Sequence, residues 1–179
     1  ELMRLVGASG PRLARLARGE DDRPVDPVGD RKSVSAETTF DTDIDDRHAL
    51  SAILRDLAEK VSRRLKVDGI AGRTVTLKLK TPDFRILTRA RGLSDPTRLA
   101  DRIHREAADL LMREPPRRYR LIGVGVSDLC DGDAADPEDL VDAGRTKRAR
   151  AEAAMDAIRD RFGRGAVEVG LTFDRPKRR

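Results

Sequence analysis

Two alternating runs separated by a short break constrain this chain more than any other feature. Gly72 to Gly92 reads GRTVTLKLKTPDFRILTRARG. Val75, Leu77 and Leu79 alternate with Thr76, Lys78 and Lys80, the period of two of a half-buried strand. In the second run Phe84, Ile86, Thr88 and Ala90 alternate with Arg85, Leu87, Arg89 and Arg91. Thr81, Pro82 and Asp83 supply the turn, so the pattern predicts a β-hairpin. If that turn pairs Lys80 with Arg85, the polar positions of both strands share one face. The face then carries Lys78, Lys80, Arg85, Arg89 and Arg91, and neither strand adds a carboxylate. Like charges opposite one another on a sheet cost roughly 0.2–1 kcal/mol per pair. Such a face is expected to meet a polyanion, against the blander reading of a solvated basic surface.

The net charge of +5 points the same way, toward nucleic acid or another anionic partner. Charged residues make up 39% of the 179-residue chain, so a modest core carries a heavily charged surface. Cys130 is the lone cysteine, which excludes a disulfide framework or a cysteine metal cluster and fits a reducing, cytosolic compartment. No apolar run approaches the ~20 residues that span a bilayer. The chain begins at Glu1 inside a helical pattern and is expected to be part of something longer.

Around the hairpin the pattern assembles a compact unit. Leu2, Leu5, Val6, Leu13, Leu16 and Ala17 predict helix, broken near Gly7 to Pro11 and ended by Gly19. Glu20 to Asp30 is acidic with two prolines and reads as a linker. Ser33 to Phe40 alternates as a strand, with Val34, Ala36, Thr38 and Phe40 inward. Asp45 or Asp46 can cap a helix striped by Leu50, Ile53, Leu54, Leu57, Val61 and Leu65. After the hairpin, Asp95 as N-cap and Pro96 open a second helix, carrying Leu99, Ile103, Ala107 and Leu110 and stopped by Pro115 and Pro116. Tyr119 to Leu129 is the last strand, with Ile122, Val124 and Val126 inward. The fold class is therefore α+β, a βαββαβ unit whose two helices lie on one face of a four-stranded antiparallel sheet, the ferredoxin-like arrangement, with a further helix at each end. The C-terminal one is striped by Ala151, Met155, Ile158 and Phe162.

The other sheet face stays open. Besides the cations it receives Ser33, Ser35, Glu37 and Thr39 from the first strand, and Leu121, Gly123, Gly125 and Ser127 from the last. Hydroxyls and glycines let a phosphate backbone come close to the main chain, although a glycine can as well serve sheet twist. No aromatic is expected on this face. Single-stranded RNA readers of this topology need such aromatics for base stacking, so backbone grip on a duplex is favoured. Two metal readings fail. Asp41, Asp43, Asp45 and Asp46 resemble the start of a calcium loop, but Asp46 stands where glycine is needed and Ala52 where a glutamate is needed. His48 and His104 have no partner ligand nearby in sequence and read as surface or packing residues.

KSVSAETTF with its following helix, the run from Gly72 to Gly92, and YRLIGVGVSDL occur here in one order. Together they resemble the little finger domain of Y-family translesion DNA polymerases, of the bacterial DNA polymerase IV type. LARGEDDRPVDP resembles the end of the thumb and its tether, and RTKRARAEAAMDAIRDRFGRGAV the C-terminal helix of bacterial members. The resemblance implies the end of a thumb over 1–19, a linker over 20–31 and the little finger over 32–129. An acidic linker over 130–142, then a helix and basic tail over 143–179, would complete the chain.

The resemblance further implies that Lys32, Ser33, Ser35, Lys78, Lys80, Thr88, Arg89 and Arg91 face phosphates of a primer–template duplex. Catalysis and its magnesium belong to palm carboxylates upstream in the family, so no cofactor and no polymerase activity are expected of this stretch, and it is expected to be monomeric. Bacterial members also carry a sliding-clamp peptide of glutamine, alternating leucines and an aromatic. Its place here is Pro137 to Asp142, where Leu140 and Val141 are apolar but glutamine and aromatic are missing. Leu171 to Phe173 supplies an aromatic, yet an ordinary linker or tail is the stronger reading of both. Two alternatives stay open: an RNA-binding module of the same topology, and a protein-interaction module that docks on the replication clamp. Five cations on one face predict a log–log salt slope near about −4 to −5.

Overall fold

The computed structural model describes residues 2–24, 29, 31–137 and 143–172. Contacts divide the chain into two compact units, Glu1–Asp30 and Arg31–Arg179. In the first, α1 (Leu2–Val6) and α2 (Gly10–Ala17) are joined by a single 3-10 turn. Gly10 lies against Met3, whose Cγ would sit 2.9 Å from any added Cβ.

The second unit runs β1 (Ser33–Ile44), α3 (Arg47–Val67), β2 (Ile70–Lys80), β3 (Ile86–Thr97), α4 (Ala100–Arg113), β4 (Tyr119–Asp131) and α5 (Ala143–Phe162). The strands form one antiparallel sheet in the order β1-β4-β2-β3. This places β4 and β2 at the centre, whereas the ferredoxin-like arrangement expected from the sequence centres its first and third strands. Both long helices cover one face. Leu50, Leu54, Leu57, Val61 and Leu65 of α3 and Ile103, Ala107 and Leu111 of α4 join Val75, Leu77, Leu79, Ile122, Val124 and Val126 in one buried cluster. Each large aliphatic side chain so buried contributes about 1.5–3 kcal/mol.

Several element ends differ from the sequence pattern. β1 continues past Phe40 to Ile44 through an irregular stretch after Thr39, and β4 continues past Leu129 to pair Cys130 with Ala71 and Asp131 with Ile70. Asp46 caps α3, accepting from His48 N at 2.8 Å. Asp95 and Pro96 do not open a helix: they belong to β3, and α4 starts later, at Ala100. An edge strand tolerates proline because its outer N–H groups need no ladder partner.

The position before α4 is Leu99, which offers no cap. Carboxylates from beyond β4 take that role. Asp136 accepts from Arg98 N at 3.0 Å, and Glu152 of α5 accepts from Ala100 N at 2.9 Å and Asp101 N at 3.1 Å. At the other end of α4, Arg47 donates to Met112 O at 2.8 Å and to Glu114 O. Negative groups thus stand at the N-terminus of α4 and a positive one at its C-terminus, the favourable sense of the helix dipole.

The predicted apolar stripe of α5 is not what docks it. Ile158 is 40% exposed and Phe162 68%, while Glu152 is 4% exposed. Lys66 holds Glu152 and Asp156 at 2.6 Å each, Arg148 holds Asp101 at 3.3 Å and Arg159 holds Glu59 at 3.1 Å. No helix among the described residues is long and apolar enough to cross a membrane.

Candidate nucleic-acid interface

The turn between β2 and β3 decides which side chains share the open face. Thr81 N donates to Arg85 O at 3.0 Å and Phe84 N to Thr81 O at 3.0 Å. The loop is therefore Pro82, Asp83 and Phe84, with Phe84 in the left-handed region at φ 65, the three-residue turn that ends in a bulge. Thr81 faces Arg85, and Lys80 faces Ile86 rather than Arg85. A slip of one residue moves every side chain of a strand to the other face.

Arg85, Arg89 and Arg91 are accordingly not on the open face, contrary to the sequence expectation. Arg89 pairs in register with Leu77 and Arg91 with Val75, both core residues, so the two arginines lie on the helix side. Arg89 Nε reaches the buried Glu114 Oε1 at 2.7 Å, and Arg91 Nη1 reaches Glu106 at 2.6 Å and Asp109 at 3.2 Å. The hydrogen bonds that Arg91 donates to Glu106 and Asp109 raise its pKa above the ordinary value. Arg85 stays at the exposed tip, beside Asp83 at 2.9 Å.

Register then fixes the open face as four rows across the sheet, written in the order β1, β4, β2, β3. They are Ser33–Ser127–Thr74–Gly92, Ser35–Gly125–Thr76–Ala90, Glu37–Gly123–Lys78–Thr88 and Thr39–Leu121–Lys80–Ile86. Of the expected phosphate-facing residues, Ser33, Ser35, Lys78, Lys80, Thr88, Gly123 and Gly125 come together here; Lys32 lies just before β1 and is exposed. Thr74 and Thr76 join them and were legible from the alternation of β2. The face is rich in hydroxyls and small residues, with no aromatic in any row.

Glycine has a definite role in the third row. A Cβ at Gly123 would come within 2.8 Å of Glu37 Cβ. The gap lets Lys78 cross β4 and hold Glu37 Oε2 at 2.8 Å. Both partners are substantially exposed, 39% and 48%, and such a pair contributes about 0–1 kcal/mol. An incoming phosphate could displace Glu37 at little cost. Lys80 Nζ lies 4.6 Å from the centre of the Phe84 ring, with Arg120 at 4.2 Å.

Among the described residues no group of three or more His, Cys, Asp or Glu could hold a metal ion. Asp41 and Asp43 lie in β1 and Asp46 caps α3, and His104 Nε2 lies 3.1 Å from Ser51 Oγ and Ser51 O as a packing histidine. The clamp-peptide candidates Leu140 and Val141, and Phe173, fall outside the described residues.

Residues 31–140 match the impB/mucB/samB family C-terminal domain. The chain is 62% identical over 176 residues to DNA polymerase IV 1 of Mesorhizobium japonicum, covering 98% of this chain and 40% of that protein. It is 57% identical to DNA polymerase IV of Brucella melitensis, covering 97% and 39%, and 45% identical to that of Caulobacter vibrioides, covering 92% and 41%. The chain thus spans about two-fifths of the length of these relatives. Among solved structures a Y-family DNA polymerase chimera shares the fold, with a TM-score of 0.51 at 24% identity over 73% of this chain and 38% of that one.

Proposed function

Because the chain belongs to the impB/mucB/samB family through its C-terminal domain, the little finger region of Y-family DNA polymerases, we propose that its open sheet face grips the phosphate backbone of a primer–template duplex without reading sequence. The parent would be a bacterial, cytoplasmic translesion polymerase whose catalytic carboxylates and magnesium lie elsewhere. In this reading residues 1–19 are the end of its thumb and 20–31 the tether. The observation that carries the proposal is the composition of the four rows. Their hydroxyls, backbone-exposing glycines and two lysines suit phosphates, and the rows hold no asparagine, glutamine or arginine for bidentate contact with a base edge. The missing aromatic platform favours a duplex over single-stranded RNA. Clamp binding, at Leu140 and Val141 or elsewhere, would be a separate contact.

The corrected register lowers the cation count of the face to Lys78 and Lys80, with Lys32 beside it. In anisotropy titrations, Lys78→Gln with Lys80→Gln should reduce the log–log salt slope by about 2, at roughly 0.9 per phosphate contact. The loss should be the same on duplexes of unrelated sequence. An unchanged slope, or a loss confined to one sequence, would sink the proposal.

A further inference from the structure

Three basic residues of α3 collect at the β1 edge of the sheet. Lys60, Arg63 and Arg64 are exposed and fall three and four residues apart, on one side of the helix. Lys60 and Arg64 form a like-charged pair four residues apart, which on its own destabilises a helix. With Arg31 and with Arg164 beyond α5, they line an open groove of about 900 Å³.

Asp68 lines the groove and offsets Arg31 there, while the carboxylates beside the groove are paired with other cations. Arg31 holds Asp68, Arg55 and Arg159 hold Glu59 at 3.1 Å each, and Lys66 holds Asp156 at 2.6 Å. Arg64 donates to Ser35 O at 2.7 Å and so braces the edge of β1. Lys60, Arg63 and Arg164 make no salt bridge among the described residues. Burial lowers the Arg63 pKa, and the neighbouring Arg164 and Arg159 lower it further, against Glu59 and Asp156, which act in the opposite sense.

The groove is continuous with the open face. Ser33 and Ser35 line it, and each also begins one of the four rows. We propose that the groove binds a backbone phosphate, so that a DNA strand crossing the sheet face continues round the β1 edge onto Lys60, Arg63 and Arg164. This rests on the duplex-grip reading, and adds a second contact through cations that the four rows do not include.

The test uses the whole chain, a fluorescent duplex and inorganic pyrophosphate. Arg63→Gln with Arg164→Gln should lower the log–log salt slope of duplex binding by about 2. An equal loss of charge on the α4 side, Arg113→Gln with Arg117→Gln, should leave the slope in place. A slope unaffected by the groove pair, or lowered equally by the control pair, overturns the proposal. If the chain binds no duplex at all, the duplex-grip reading fails by itself, and pyrophosphate decides the groove. Saturable shifts of the Arg63 and Arg164 Nε–H signals then uphold an anion site, and their absence removes it.

Discussion

Glu152 shows how one side chain holds two distant segments together. It accepts from Lys66 Nζ, Ser62 Oγ and the amides of Ala100 and Asp101. Burial alone would raise its pKa; Lys66 and the backbone donors outweigh burial and bring it below the ordinary carboxylate value. Because the folded value is the lower one, the stability Glu152 contributes is full above an unfolded pKa of about 4.3 and is lost as pH falls through the folded value. Glu152→Gln keeps the shape but loses the charge, and should cost about 1.5–3 kcal/mol near neutral pH. Urea unfolding of both chains over a pH series checks this: the gap should close on the acid side. A gap constant with pH would remove the charge from the explanation. His104 titrates in a separate window, since burial lowers its pKa and its stabilising contribution fades as pH falls below about 6.5.

At the scale of elements, alternation and stripe were enough to place four strands and the helices, because buried positions must repeat at the period of the element. Register was not legible in the same way. It turns on Phe84 adopting φ 65, a conformation that costs a non-glycine residue about 1–2 kcal/mol. Lys80 and Arg120 over its ring return about 0.5–1 kcal/mol each at an exposed site. Neither lysine nor arginine is a turn signal, so nothing local announced a bulge at a phenylalanine. The start of α4 was misplaced for a related reason. Asp95 and Pro96 carry every local mark of a helix N-terminus, but the groups that accept from its amides are Asp136 and Glu152, far along the chain. The consequence for β3 can be measured. Arg91→Glu would set a third carboxylate against Glu106 and Asp109, and this partly exposed clasp is expected to cost about 1–2 kcal/mol, or roughly 2–8 °C in Tm. The salt slope of duplex binding should stay unchanged. A lost phosphate contact with an unaltered Tm would return Arg91 to the binding surface.

For the whole folded unit, the question is how firmly α5 stays in place. The sheet and its two helices are held by a continuous apolar cluster, whose strength salt does not weaken. α5 is held mainly by the Lys66, Arg148 and Arg159 ion pairs, and its larger apolar side chains Ile158 and Phe162 are exposed. Lys66–Asp156 and Arg148–Asp101 are partly exposed and are screened as the Debye length shrinks from about 10 Å at 0.1 M salt to about 3 Å at 1 M, whereas Lys66–Glu152 and Arg159–Glu59 are more buried and are screened much less. Raising salt should therefore loosen α5 while the core stands. Because Glu152 accepts from the first amides of α4, that loosening should be reported outside α5 itself. Hydrogen exchange at Ala100 and Asp101 should accelerate between 0.1 and 1 M sodium chloride in step with α5, about 5-fold or more for each kcal/mol of docking lost. Val124 and Val126, in the centre of the sheet, should keep their protection. The coupling reaches the binding surface too, since Arg164 follows directly on α5 and lines the basic groove. If Ala100 and Asp101 stay protected at 1 M salt while α5 exchanges freely, the cap is not what joins the helix to the sheet, and the groove does not depend on α5 through it.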